Sequence, residues 1–301
     1  MSDPTVPAPS LSTRIFGAIK PILPRRMRGD IPIVPVVRLA GTIGFSTPLK
    51  PGLSLAGVAK SLEKAFSTRH ARAVALSINS PGGSPVQSHL IFRRIRQLSE
   101  EKGLPVIAFV EDVGASGGYM IACAADEIVC DMSSIIGSIG VVGGTFGFDK
   151  LMEKIGIERR LYTSGDNKAM LDPFLPEKPE DVKRLKQIQT EIHQSFIALV
   201  KDRRGAKLAG PEKTLFSGEY WTGPTAVEYG VADSIGDMRS FLRERYGEEV
   251  MTPVVAPERG FLARRLRGSD SMLNLLGGNS SWAEDMVSAL EARALWSRFG
   301  L

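Results

Sequence analysis

Two short apolar runs, residues 73–79 and 106–110, each pass directly into a glycine-rich turn that then opens a helical pattern. This constrains the fold more than any other feature. A buried run of four to eight residues bounded by turn signals reads as a strand. The segments between such runs carry apolar residues at helical spacing. Residues 53–66 place Leu55, Val58, Leu62 and Phe66 on one face, and residues 86–97 place Leu90, Ile91 and Ile95 inward. A further strand is expected at 33–37, where Pro35 favours a sheet edge. Strand, helix, strand in this rhythm predicts βαβ units around a largely parallel sheet.

Downstream, a helix is expected from Ser116 through Ala124, then short strands at 127–130 and 135–142, a helix at 149–155 and an extended run at 157–162. Residues 163–178 read as a loop. A long helix starts at Pro179, a favoured first-turn residue, and carries the stripe Val182, Leu185, Ile188, Ile192, Phe196, Leu199 and Val200. Short helices surround Gly230 and Gly236. The spelling Ser281-Trp282-Ala283-Glu284 fits a capping box for a final helix. The chain divides into a Pro- and Ser-rich, basic amphipathic arm over 1–30, an α/β body over 31–256 and a helical extension over 257–301.

Of the 301 residues, 43% are hydrophobic and 24% charged, enough to bury a real core. The net charge of +5 is concentrated in residues 1–28, where Arg14, Lys20, Arg25, Arg26 and Arg28 face Asp3 alone. The body is close to neutral, which argues against a nucleic-acid groove. Leu11, Ile15, Ile19 and Ile22 make an apolar stripe within the basic arm, so peripheral membrane contact through residues 11–28 is expected. No run of about 18 apolar residues and no signal-peptide core occurs, so the reading is a cytoplasmic chain or one held on the inner membrane surface. Cys123 and Cys130 do not have CxxC spacing and read as small buried hydrophobes.

The chemistry-bearing signals are three. Gly114-Ala115-Ser116-Gly117-Gly118 holds a serine on a tight strand-to-helix turn, with free backbone N–H groups behind it. It also spells a nucleophile elbow, although glycine-rich turns of this kind serve structural ends too. Asn79-Ser80-Pro81-Gly82-Gly83-Ser84 is a second such turn and does not spell a nucleotide-binding loop. A serine needs a base. His70, His89 and His193 read as solvated or packing residues. A desolvated lysine can serve instead. Lys168 is the candidate, on the loop Thr163-Ser164-Gly165-Asp166-Asn167-Lys168, although taken alone it also reads as an ordinary exposed lysine.

Taken in order, these motifs resemble the signal peptide peptidase A (SppA-type) serine peptidases of the ClpP/crotonase fold. The matching stretches run from Ile33 to about Asp237. They continue through Gly137-Ser138-Ile139-Gly140, Phe216-Ser217-Gly218 and Trp221-Thr222-Gly223. The resemblance implies an α/β spiral of βαβ units, with Ser116 as nucleophile, Lys168 as general base and Ser138 orienting the lysine. Gly83 and Gly117 are then the oxyanion donors. It also implies signal-peptide-like or other apolar peptide substrates, a homo-oligomeric ring, and no metal or cofactor. The expected transmembrane anchor is not found. Competing readings are a crotonase-type acyl-CoA enzyme, an α/β-hydrolase esterase opposed by the histidine census, and a membrane-associated scaffold with a peptidase fold. The crotonase reading predicts activity that survives loss of Ser116 and Lys168.

Overall fold

The computed structural model describes residues 31–44, 52–255 and 293–300. The basic arm at 11–28 and the capping box at 281–284 lie outside the described residues. In chain order the elements are β1 (Val36–Ala40), α1 (Leu55–Phe66), β2 (Val74–Ser80), α2 (Pro85–Lys102), β3 (Val106–Ala115) and α3 (Gly117–Ala122). Next come β4 (Glu127–Cys130), β5 (Ile135–Gly137), α4 (Asp149–Lys154) and α5 (Pro179–Arg204). The last are α6 (Glu212–Leu215), β6 (Tyr220–Thr222), α7 (Gly223–Glu228), β7 (Ser234–Ile235) and α8 (Met238–Tyr246). Residues 293–297 are helical, which is the described part of the expected extension.

The sheet runs β1-β2-β3-β4-β7, all parallel, with β5 parallel to the far end of β3 and β6 antiparallel to β5. The α/β character and the βαβ rhythm read from the sequence are therefore present. Side chains alternate across the sheet. Val74, Leu76 and Ile78 of β2, with Val106, Ala108 and Val110 of β3, join the large core beneath α1, α2, α3 and α5. Ala75, Ile107, Phe109 and Val129 point the other way and pack with Leu242 of α8. Helical cover on both faces explains why β2 and β3 read as nearly continuous apolar runs rather than alternating ones.

Local chemistry starts and stops the helices. Ser54 caps α1 by accepting from Gly57 N–H. Ser84 caps α2 ahead of Pro85, and Gly103 ends it in the left-handed conformation. α5 opens with Glu180 and Asp181 and closes with Lys201, Arg203 and Arg204, as the helix dipole favours.

Four expectations differ from the structure. β3 continues to Ala115, past Glu111 and Asp112, because β5 pairs with its end. β5 stops at Gly137, and residues 157–162 form no strand, having no neighbour to pair with. The α5 stripe is buried only at Phe196 and Val200, with Arg204 beside them, while Val182, Leu185, Ile188 and Ile192 are half-exposed. The N-terminal half of α5 thus projects beyond the core.

Candidate active site

Ser116 sits where β3 gives way to α3, with φ 51° and ψ −121°. A non-glycine residue held there costs about 1–3 kcal/mol and persists only when its surroundings dictate it. They do. Ser116 N–H donates to Gly137 C=O at 2.8 Å, and Ser116 C=O accepts from Met120 N–H at 3.0 Å. A Cβ on Gly118 would lie 2.5 Å from Ser80 C=O. The Ser116 hydroxyl makes no capping bond and is half-buried.

The second glycine-rich turn lies against the first. A Cβ on Gly82 would stand 2.8 Å from Ser116 Cβ and 2.9 Å from Gly117 N. Gly83 is fixed beside Ile43. Ile43 N–H donates to Gly82 C=O, and Ser84 N–H donates to Ile43 C=O. Both strand-type bonds are made by the residues flanking Gly83, so its own N–H faces away from Ile43. Gly117 N–H is the first of α3 and has no acceptor one turn back in the helix. The Gly82-Gly83 turn and the Gly117 N–H thus lie beside the serine.

Ser138 follows the carbonyl that holds Ser116. It is 5% exposed, has φ 53°, and donates its N–H to Glu219 C=O at 2.6 Å. Among the described residues, only four non-glycine residues have positive φ, and Ser116 and Ser138 are two of them. Backbone strain is therefore concentrated at this site.

Lys168 is not brought to Ser116. Its side chain is exposed, its N–H closes a turn onto Gly165 C=O, and no hydrogen bond joins it to Ser116 among the described residues. The burial expected of a lysine base is thus not seen. Lys168 rides on an arm over 141–178 whose helix α4 buries no residue. The arm is tied mainly to itself: Phe148 stacks on Phe174, Phe148 N–H donates to Pro173 C=O, and Arg159 pairs with Asp172 at 2.7 Å. Val142, Phe146 and Tyr162 on it are 72%, 78% and 89% exposed.

Behind Ser116 the scaffold is tied together by buried polar bonds. Tyr119 of α3 is buried and donates to Val231 C=O at 2.9 Å. Arg204 of α5 is buried, donates to Gly230 C=O and pairs with Asp233 at 2.7 Å. Burial alone would raise the Asp233 carboxyl, yet hydrogen bonds from Arg204, Lys207 and Ile128 N–H hold it below its ordinary value. Burial pushes the Cys123 thiol up to about 12 and Cys130 up to about 11. Both are free and buried, as read from the sequence.

Three participants escaped the sequence reading. Gly82, rather than Gly83, makes the close approach to Ser116. Gly137 supplies the carbonyl that clamps it. His193 reads from the sequence as a solvated or packing residue, yet its Nε2 lies 3.1 Å from Ile139 C=O. The Gly-Gly spelling was a usable signal for Gly82. The other two depend on which segments the fold brings together.

Comparison with known proteins places these residues within a recognised family profile. A sequence profile described as Peptidase family S49 covers residues 99–248, which contain Ser116, Ser138 and Lys168. The chain is 52% identical over 300 residues to a Brucella abortus protein named Na(+)/H(+) antiporter NhaA, covering 97% of this chain and 40% of that one. It is 33% identical over 213 residues to serine protease SPPA, chloroplastic, of Arabidopsis thaliana, covering 68% of this chain and 31% of that one. The chain thus spans well under half the length of these two relatives. A protease-named protein of Synechocystis sp. is 30% identical over 245 residues, covering 78% of this chain and 87% of that one. The profile lies across the serine turn and the arm, and the Synechocystis relative aligns along most of its length: the chain belongs to peptidase family S49.

Proposed function

We propose that the chain is a serine peptidase working through an acyl-enzyme, with Ser116 as nucleophile and Lys168 as general base. The observation that carries this reading is the strained Ser116 elbow pressed against the Gly82-Gly83 turn. A structural serine has no need of a positive φ at a helix N-terminus pressed against a second glycine turn. In the first step Ser116 Oγ bonds to the peptide carbonyl carbon and its proton passes to the neutral Lys168 amine. The Gly83 and Gly117 N–H groups stabilise the oxyanion. Collapse breaks the C–N bond, and the Lys168 ammonium returns its proton to the leaving amine. Water, deprotonated by Lys168, then attacks the acyl carbon and releases the acid and free Ser116. Ser138 orients the lysine amine. This dyad is a variant of the serine-triad logic.

Lys168 is exposed in the isolated chain, so the 141–178 arm must close on Ser116, within one chain or within an assembly. Its uncovered Val142, Phe146 and Tyr162 support a homo-oligomer that hides them. Apolar, signal-peptide-like peptides are the proposed substrates, and residues 11–28 the peripheral membrane contact. The antiporter name of the Brucella relative is not carried over. Among the described residues no helix is long and apolar enough to cross a membrane.

The exposure of Lys168 also favours a second reading, a scaffold that keeps the fold without the chemistry. Labelling with a fluorophosphonate decides. The peptidase reading expects wild type to label and Ser116→Ala not to. Equal labelling of the two, or peptide cleavage that survives Ser116→Ala, overturns it.

A further inference from the structure

We infer that His193 is a positioning residue for the nucleophile turn, acting through the 137–140 segment that holds Ser116; the inference rests on the peptidase reading. That segment does two things. Gly137 C=O fixes Ser116 N–H, and Ser138 stands next in the chain in a left-handed conformation. Neither geometry is self-supporting, because a positive φ at serine relaxes unless both sides are held.

One side is held by residues 218–221. Ser138 N–H donates to Glu219 C=O, a Cβ on Gly137 would lie 2.7 Å from the Trp221 ring, and a Cβ on Gly140 would lie 3.0 Å from Gly218 Cα. A second hold comes from α5. His193 Nε2 meets Ile139 C=O at 3.1 Å. A carbonyl oxygen can only accept, so Nε2 carries the proton and the tautomer is set. One turn earlier on the same face, the Gln189 side chain underlies Gly143, where a Cβ would lie 2.8 Å from its Nε2. Gln189 and His193 thus form a polar stripe crossed by the chain as it leaves β5. The neighbouring apolar positions Phe196 and Val200 supply the packing, which leaves the hydrogen bond as the distinctive contribution of His193.

The placement links the two halves of the proposed dyad. α5 follows directly from the arm that carries Lys168, and its far end is locked by Arg204 on Asp233. His193 fixes the middle of that same helix to the segment beside Ser116. Without its donor, Ile139 C=O loses its partner and the 137–140 segment loosens. The loss falls on the chemical step and not on substrate binding.

The test compares His193→Phe, which keeps a flat ring but no donor, with His193→Gln, which restores an N–H. The readouts are kcat and KM on an apolar fluorogenic peptide and the rate of Ser116 labelling by a fluorophosphonate. His193→Phe is expected to lower kcat and labelling about tenfold, the effect of one lost hydrogen bond, with KM within about twofold. His193→Gln recovers most of both. Losses under about twofold in His193→Phe, or no recovery in His193→Gln, overturn the inference. If His193→Phe does not fold, the ring ¹⁵N spectrum of the wild-type chain decides. An Nε2–H protected from solvent exchange, as a hydrogen-bonded proton is, supports the inference; an Nδ1–H tautomer or a freely exchanging Nε2–H overturns it. That spectrum is independent of activity, so its failure is distinct from failure of the peptidase reading, which Ser116→Ala tests.

Discussion

Gly82 and Ser116 approach so closely that a methyl group on the glycine would stand 2.8 Å from the serine Cβ. Two glycine-rich turns, separated in sequence by a helix and a strand, form one surface. The parallel β2–β3 register makes this unavoidable, because Ser80 pairs with Gly114 at the ends of the two strands.

Gly82→Ala should therefore abolish Ser116 reactivity. The new Cβ also meets Gly117 N at 2.9 Å, and φ is +100°. With Gly117 N–H as a proposed oxyanion donor, displacing it costs on the order of 100-fold, which reads as near-loss of labelling. Gly41→Ala is the control: its φ is +108°, but nothing lies within 4 Å. It should cost about 1 kcal/mol of stability and leave fluorophosphonate labelling unchanged.

Lys168→Ala and Lys168→Arg should both lose turnover, because guanidinium stays charged at working pH. Since the Lys168 side chain is exposed, its loss should move stability by less than about 0.5 kcal/mol. Ser138→Ala should be milder than either. Peptidase assays paired with thermal melts check this. Substantial activity in Lys168→Arg would point to another base.

Acid stability should depend on Asp233. Its folded carboxyl lies below the ordinary value, so its stabilisation is present above the unfolded pKa of about 3.9 and is lost as pH falls toward the folded one. Asp233→Asn leaves the buried Arg204 without its counter-charge and should cost about 3 kcal/mol at neutral pH. It should also flatten the acid limb. Urea unfolding at pH values from about 6 down to about 3 measures both effects.

Cys123 and Cys130 should resist alkylation in the native protein near neutral pH. Burial pushes their thiols up to about 12 and about 11, so little thiolate exists. Mass spectrometry after iodoacetamide treatment, with and without denaturant, reads this directly. Rapid native labelling of Cys123 would mean that α3 opens readily.

The sheet was legible because its strands are short apolar runs ending in glycine turns, a pattern that few other arrangements produce. Residues 127–130 were read with the same bounds as β4. The end of β3 was not, because Glu111 and Asp112 look like a loop until β5 pairs beside them. The α5 stripe gave the correct apolar face, yet periodicity reports only which face is apolar and not whether a partner covers it. Hence Phe196 and Val200 are buried while Val182 and Ile188 are not.

By itself the sequence determined the α/β rhythm, the Ser116 turn and the glycines that permit it, since these depend on local sterics and hydrophobic period. Only the tertiary structure decided that Gly82 meets Ser116, that Gly137 clamps it, and that His193 reaches Ile139. Those contacts join segments far apart in the chain, and their distances follow from strand register and helix packing, which no local pattern encodes. The exposure of Lys168 belongs to the same class: its sequence neighbourhood names a candidate base, and the position of the arm alone determines what that base can touch.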